Sequence, residues 1–266
     1  MPLRPAASTR LFFLSLALSA AFAAPAQAAS EPPSVAARVT KVADGLDHPW
    51  SMAFLPGGDM LITERSGSLR LLRATGGLSK PLAGLPKVAA QGQGGLLDVA
   101  LSPDFATDRY VYLSYAESDG SRSGTAVGRG RLAGDGTALE DFRVLFRQEP
   151  KLSSGQHYGS RLVFDRKGYL YISLGENNQR PTAQELGKLQ GKVVRLKADG
   201  SVPPDNPFVG QAGARPEIWS YGHRNPQGMA LNPWSGELWE NEHGPRGGDE
   251  INLVRPGKNY GWPLAT

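Results

Sequence analysis

Arg161-Leu-Val-Phe-Asp-Arg-Lys-Gly-Tyr-Leu-Tyr-Ile-Ser173 is an apolar strand, a polar turn and a second β-rich strand in thirteen residues. Three other segments repeat the pattern. Ser51-Met-Ala-Phe-Leu-Pro-Gly-Gly-Asp-Met-Leu-Ile-Thr63 is one; Asp98-Val-Ala-Leu-Ser-Pro-Asp-Phe105 with Tyr110-Val-Tyr-Leu-Ser114 is another. Gly228-Met-Ala-Leu-Asn-Pro-Trp-Ser-Gly-Glu-Leu-Trp239 is the last. Aligning Phe54, Leu101, Phe164 and Leu231 gives spacings of 47, 63 and 67 residues. Short β-rich runs joined by turn chemistry predict an all-β chain. A period near fifty residues, with insertions, predicts propeller blades of four strands each. A β-sandwich is the alternative. The apolar positions alternate or run continuously instead of recurring at 3.6 residues, which argues against helices. Only 182–196 is left for a short helix or an irregular loop.

The first 28 residues read as a signal peptide. Arg4 and Arg10 precede an apolar run, Leu11 to Ala24, that is short for a membrane span, and Ala26-Gln27-Ala28 offers a cleavage site. An uncleaved anchor is the alternative. Residues 29–266 are then the mature propeller domain, without another apolar run long enough to span a bilayer. With no cysteine, disulfides, thiolate metal sites and cysteine nucleophiles are excluded, so the core must hold the domain. The mature segment carries 27 basic and 25 acidic residues without a Lys/Arg block, which argues against nucleic acid as a partner. About four blades of roughly fifty to sixty residues fit into this length. The chain stops at Trp262-Pro-Leu-Ala-Thr266, just after a turn and without a closing strand. The expectation is therefore the front part of a longer propeller.

Candidate chemistry concentrates between Tyr221 and Pro263, with one outlying histidine. His157 lies in the loop Ser153-Ser-Gly-Gln-His-Tyr-Gly-Ser160, just before a strand. An imidazole there suits proton abstraction near neutral pH, and a plain surface histidine is the alternative. Arg224 offers a forked cation toward developing negative charge, with Asn225 as an uncharged donor; a turn cap paired to a carboxylate is the alternative. The Gly244-Pro245 turn can aim two carbonyls at one hard cation, and Glu250 is a carboxylate ligand or a solvated turn residue. His223 and His243 lack the spacing of a zinc site and read as structural or cavity-lining. No nucleotide-binding glycine fingerprint or G-x-S-x-G elbow is present.

Four motifs in fixed order resemble one family: Gln93-Gly-Gly-Leu-Leu-Asp-Val-Ala-Leu-Ser-Pro-Asp-Phe105, Gln156-His157 with Ser160-Arg-Leu-Val-Phe164, Gly222-His-Arg-Asn-Pro-Gln-Gly228, and Glu242 to Pro263. The chain is similar to the quinoprotein glucose/sorbosone dehydrogenases, most closely the periplasmic aldose sugar dehydrogenases of Gram-negative bacteria. That resemblance implies a six-bladed β-propeller with pyrroloquinoline quinone (PQQ) and Ca²⁺ at the mouth of its channel. It implies oxidation of the C1 hydroxyl of aldoses to lactones in the periplasm, with electrons passing to an external quinone or cytochrome. By resemblance His157 is the general base and lies against the cofactor, Gln93 contacts the cofactor, and Arg224 and Asn225 flank the reactive quinone carbonyls. Gly244 and Pro245 match carbonyl ligands of the active-site calcium, and Glu250 and Tyr260 ligands of a second, structural calcium. Glu176 matches an acid near the cofactor, and Gln184 an amide contact. Gln156 stands where better-known soluble members carry aspartate. Further basic cofactor contacts of the family would lie in blades after Thr266. A calcium-dependent propeller hydrolase such as a lactonase, and an inactive truncated sugar-binding propeller, are the rival readings.

Overall fold

The chain divides into Met1–Thr40 and Lys41–Thr266. A computed structural model describes residues 37–265, and the sheets all belong to the second unit. The expected signal peptide lies outside the described residues.

Four antiparallel sheets succeed one another along the chain. The first holds β1 (Pro49–Phe54), β2 (Met60–Glu64) and β3 (Ser68–Leu72). The second holds β4 (Leu96–Leu101), β5 (Tyr110–Ser118), β6 (Ser123–Leu132) and β7 (Leu139–Arg147), with one helical turn, α1 (Phe105–Asp108), between β4 and β5. The third holds β8 (Leu162–Phe164), β9 (Tyr169–Leu174), β10 (Lys192–Lys197) and β11 (Ile218–Tyr221). The fourth holds β12 (Pro226–Leu231), β13 (Leu238–Glu242) and β14 (Glu250–Leu253). Each sheet is an up-and-down meander, and its first strand lies against the first strand of the next: β1 on β4, β4 on β8, β8 on β12. This is the radial order of propeller blades, with β1, β4, β8 and β12 innermost.

All four repeat segments form the expected hairpins, the register pairing Phe54 with Met60, Phe164 with Leu170 and Leu231 with Leu238. Two details differ from expectation. The first and fourth sheets have three strands rather than four. After Leu72 the chain turns back along β3, with Leu78 bridging Leu72 and the Ser79 and Leu82 N–H groups donating to the Leu71 and Leu69 carbonyls, before Ala83 bridges Ala138 at the second blade. In the stretch 182–196, a short 3-10 helix begins earlier, at Arg180–Gln184, and the remainder leads into β10. Strand geometry wins there because Val193 faces one neighbouring blade while Val194 and Leu196 face the other.

That alternation builds the core. Leu61, Leu69 and Leu71 pack with Val111 and Leu113 between the first two blades. Tyr112, one residue out of phase, packs with Leu170, Ile172 and Val194 between the second and third. Tyr171 and Val193 then meet Met229, Leu238 and Val254 between the third and fourth. A fully buried Leu or Ile contributes roughly 1.5–3 kcal/mol, so the blades adhere through both faces of their central strands.

Arg161 ties the inner strands together. Its Nη1 donates to Asp98 Oδ1 at 2.7 Å and to Ser51 Oγ at 3.1 Å, and its Nε donates to the Gln227 carbonyl at 3.0 Å. Its guanidinium carbon lies 4.6 Å from the centre of the Trp50 ring. One side chain from the third blade thereby contacts the other three.

Candidate active site

The candidate residues collect at one end of the inner strands because of the topology. Gln93, His157 and Arg224-Asn225 sit just before β4, β8 and β12. Antiparallel pairing brings the C-terminal ends of β9 and β13 to the same end, and these deliver Glu176 and the 242–245 segment.

Gln93 and His157 meet directly. The Gln93 side-chain oxygen accepts the His157 main-chain N–H at 2.8 Å, and the Gln93 N–H donates to the Gly155 carbonyl at 2.9 Å. His157 is buried and sits in the left-handed region at φ 50°, a conformation that costs a non-glycine residue on the order of 1–3 kcal/mol and concentrates at functional sites. Gly175 makes this loop possible. A Cβ on it would lie 1.9 Å from the His157 carbonyl oxygen, so only glycine fits.

His157 Nδ1 lies 2.8 Å from Glu176 Oε2, and Glu176 is fully buried. An ionised carboxylate only accepts hydrogen bonds, so the proton resides on Nδ1 and the Nε2 lone pair is left for chemistry. The same Glu176 oxygen accepts the Asn178 N–H, which fixes the carboxylate from behind. Asn225 joins this group: its side-chain oxygen accepts the Gly159 N–H at 3.0 Å.

Arg224 is half-buried, with Nη1 donating to the His243 carbonyl at 3.0 Å and its guanidinium carbon 5.3 Å from the centre of the Trp262 ring. Arg180 approaches the same ring, also at 5.3 Å. Arg224 and Trp262 line a small cleft with Glu242, Gly244, Pro245 and Glu250. The structure therefore gathers Gly244, Pro245 and Glu250 beside Arg224. Tyr260 is held elsewhere: its hydroxyl donates to the Leu253 carbonyl at 2.6 Å and accepts the Arg255 N–H at 2.8 Å, and its ring stacks on His223. Any ligand role for Tyr260 therefore falls to its main chain. Gln184 is engaged in a reciprocal amide pair with Asn259 and donates to the Trp262 carbonyl, so it braces the 259–263 turn.

Beneath Arg224 lies a buried polar knot with little signature in the sequence. His223 Nδ1 is 3.2 Å from Glu242 and 3.4 Å from Glu240, and its Nε2 is 2.8 Å from Ser220 Oγ. Burial opposes the imidazolium, but its hydrogen bonds to the two carboxylates outweigh that and raise His223 to about 9. Burial also raises Glu240. The ligand atoms of the three residues lie within 4.8 Å of one another, and the imidazolium itself supplies the positive charge there. The available signal was Glu240-Asn-Glu242 on a strand, whose i, i+2 spacing sets both acids on one face.

The site has the character of a receptor for a polar, anionic group. Arg224 Nε, Trp262 Nε1, Glu176 Oε1 and Asn177 Oδ1 are buried without hydrogen-bond partners among the described residues. Buried polar atoms are ordinarily paired, so the two N–H donors fit carboxylate or carbonyl oxygens of a ligand, and the two oxygens fit its hydroxyl or N–H groups. The fold and site thus define a β-propeller protein with a polar ligand site at the end of its inner strands. The sequence profile described as Glucose / Sorbosone dehydrogenase matches residues 46–266, and the chain belongs to that family.

Relatives are consistent with this placement. Aldose sugar dehydrogenase YliI of Escherichia coli is 66% identical over 225 residues, covering 84% of this chain and 61% of the relative. Quinoprotein glucose dehydrogenase B of Acinetobacter calcoaceticus is 33% identical, covering 84% of this chain and 51% of the relative. The solved PQQ-bound aldose sugar dehydrogenase of Streptomyces coelicolor superposes with a TM-score of 0.76 at 36% identity, covering 86% of this chain and 66% of that one. This chain therefore spans less than two thirds of the length of these proteins.

Proposed function

We propose that the protein is a periplasmic quinoprotein that oxidises the C1 hydroxyl of aldose sugars to lactones, with PQQ and Ca²⁺ as cofactors and an external quinone or cytochrome as electron acceptor. The observation that carries the reading is the His157–Glu176 pair, 2.8 Å apart and buried beside Gln93, Asn225 and Arg224. The family membership and the quinoproteins among the relatives support the cofactor. The N-terminal basic and apolar segments support export.

When bound, the quinone supplies the hydride acceptor and calcium a Lewis acid. The chain's own residues do the rest. Glu176 holds the Nδ1 proton of His157 and leaves Nε2 to take the proton from the sugar C1 hydroxyl. Glu176 also stabilises the imidazolium that forms. Gln93 fixes the main chain of His157, so the ring is delivered in one orientation. Arg224, held through the His243 carbonyl, presents its remaining donors to carboxylate or carbonyl oxygens of the cofactor. Asn225 fixes the Gly159 end of the histidine loop and faces the same space. Gly244 and Pro245 offer main-chain oxygens to that calcium, and Glu250 would offer its carboxylate to a second, structural calcium.

The test is reconstitution of residues 29–266 with PQQ and Ca²⁺, following dye reduction with a panel of aldoses. Turnover that requires the quinone and is lost after exhaustive chelation is expected. Turnover that needs neither would overturn the assignment.

A further inference from the structure

Arg224 and Asn225 lie on a short link between β11 and β12, where no ladder hydrogen bond fixes them. Their main-chain N–H groups need acceptors, because Asn225 is buried and Arg224 half-buried. Both find the same atom. Glu242 Oε2 accepts the Arg224 N–H and, at 3.3 Å, the Asn225 N–H. The other oxygen of that carboxylate, Oε1, faces His223 Nδ1 at 3.2 Å and the Asn252 amide nitrogen at 3.5 Å. Both oxygens of a buried carboxylate are thereby satisfied, one by the candidate cofactor-binding pair and the other by the knot that anchors it.

Glu240 provides the internal comparison. It is equally buried, lies two residues away on β13, and also contacts His223 and Asn252, but it makes no contact with the N–H groups of Arg224 or Asn225. The two carboxylates share the knot and differ in what they hold.

We infer that Glu242 is a positioning residue: its carboxylate clamps the main chain of Arg224 and Asn225 so that their side chains are set toward the cofactor before it binds. The inference rests on the proposed quinone role of that pair. Its physical basis is preorganisation. A link that samples other conformations binds in proportion to the fraction of time it is competent, so loosening it weakens affinity without removing a single cofactor contact.

The experiment compares Glu242→Gln with Glu240→Gln in the protein without cofactor. Quinone affinity is measured from the absorbance of added PQQ with Ca²⁺ present, and hydrogen exchange is monitored in the peptide spanning 222–228. A carboxamide keeps the shape and one acceptor but loses the charge that strengthens both N–H bonds. Glu242→Gln is expected to weaken PQQ about tenfold, and the link amides should exchange about tenfold faster. Glu240→Gln should leave both within about twofold, although it perturbs the same knot. Equal effects of the two variants would show a general structural role and overturn the inference. Unchanged affinity in Glu242→Gln would overturn it too. If the parent protein binds no quinone, the proposed function fails instead, and the exchange comparison alone decides whether Glu242 holds the link.

Discussion

Arg161→Met should expose how the blades are joined. The substitution keeps most of the aliphatic bulk and removes the guanidinium that reaches Asp98, Ser51, Gln227 and Trp50. Asp98 is 2% exposed, so its carboxylate loses its cation in a place that water scarcely reaches. It retains the Ser51 hydroxyl at 2.5 Å and the Leu162 N–H at 2.7 Å. Removing one partner of a buried ion pair costs about 3–5 kcal/mol, and the retained donors argue for the lower end. For a unit of this size about 3 kcal/mol corresponds to a drop in Tm of roughly 6–12 °C.

The pH dependence has a definite sign. Burial already holds the Asp98 carboxyl above the ordinary carboxylate range, against the pull of Arg161, and losing Arg161 raises it further. A carboxyl with a raised folded-state value contributes most below its unfolded pKa of about 3.9 and loses that contribution as pH climbs through the folded value. The deficit of Arg161→Met should therefore be smallest near pH 4 and grow toward neutrality. Thermal and urea melts of the single variant and of Asp98→Asn/Arg161→Met, at several pH values, test this. The double variant buries no charge, and its asparagine can pair with both Ser51 and Leu162, so it should recover at least about 1 kcal/mol. A single variant melting within about 2 °C of the parent at pH 7, or a double variant weaker than the single, would refute the reasoning.

His157→Ala should lower aldose turnover about a hundredfold or more while leaving PQQ affinity nearly unchanged, because Gln93 binds the main-chain N–H that alanine retains. Comparable turnover in steady-state assays would remove His157 from the proton transfer. Lys192 is buried, with Nζ donating to the carbonyls of Thr182, Ala183 and Gln190, and burial pulls it down from 10.5 to about 7. The unfolded chain keeps that proton to higher pH, so this group's contribution to stability should rise between about pH 7 and 10.5. Lys192→Met should flatten that rise in chemical melts, and an identical slope in both proteins would contradict it.

What could be read from the sequence was set by distance along the chain. The hairpins around Phe54, Phe164 and Leu231 were legible because strand, turn and strand are contiguous, and so was the blade count given by their spacing. The same locality explains the misreading near 182–196: a three-residue alternation, Val193, Val194 and Leu196, is short until two neighbouring blades give each face something to bury against. Gln93, His157 and Arg224 stood out through motifs, yet the sequence could not show that Gln93 grips the main chain of a residue 64 positions away. Arg161 and Asp98 lie inside repeat segments and read as ordinary strand residues, because their pairing exists only once the inner strands converge. The Glu242 clamp is the sharper case. Seen as sequence, Glu240-Asn-Glu242 is an acidic pair before a turn; folded, one acid balances a buried imidazolium and the other also holds two N–H groups. Which acid does which depends on where the β11–β12 link passes, so residue type alone could not separate a positioning carboxylate from its neighbour.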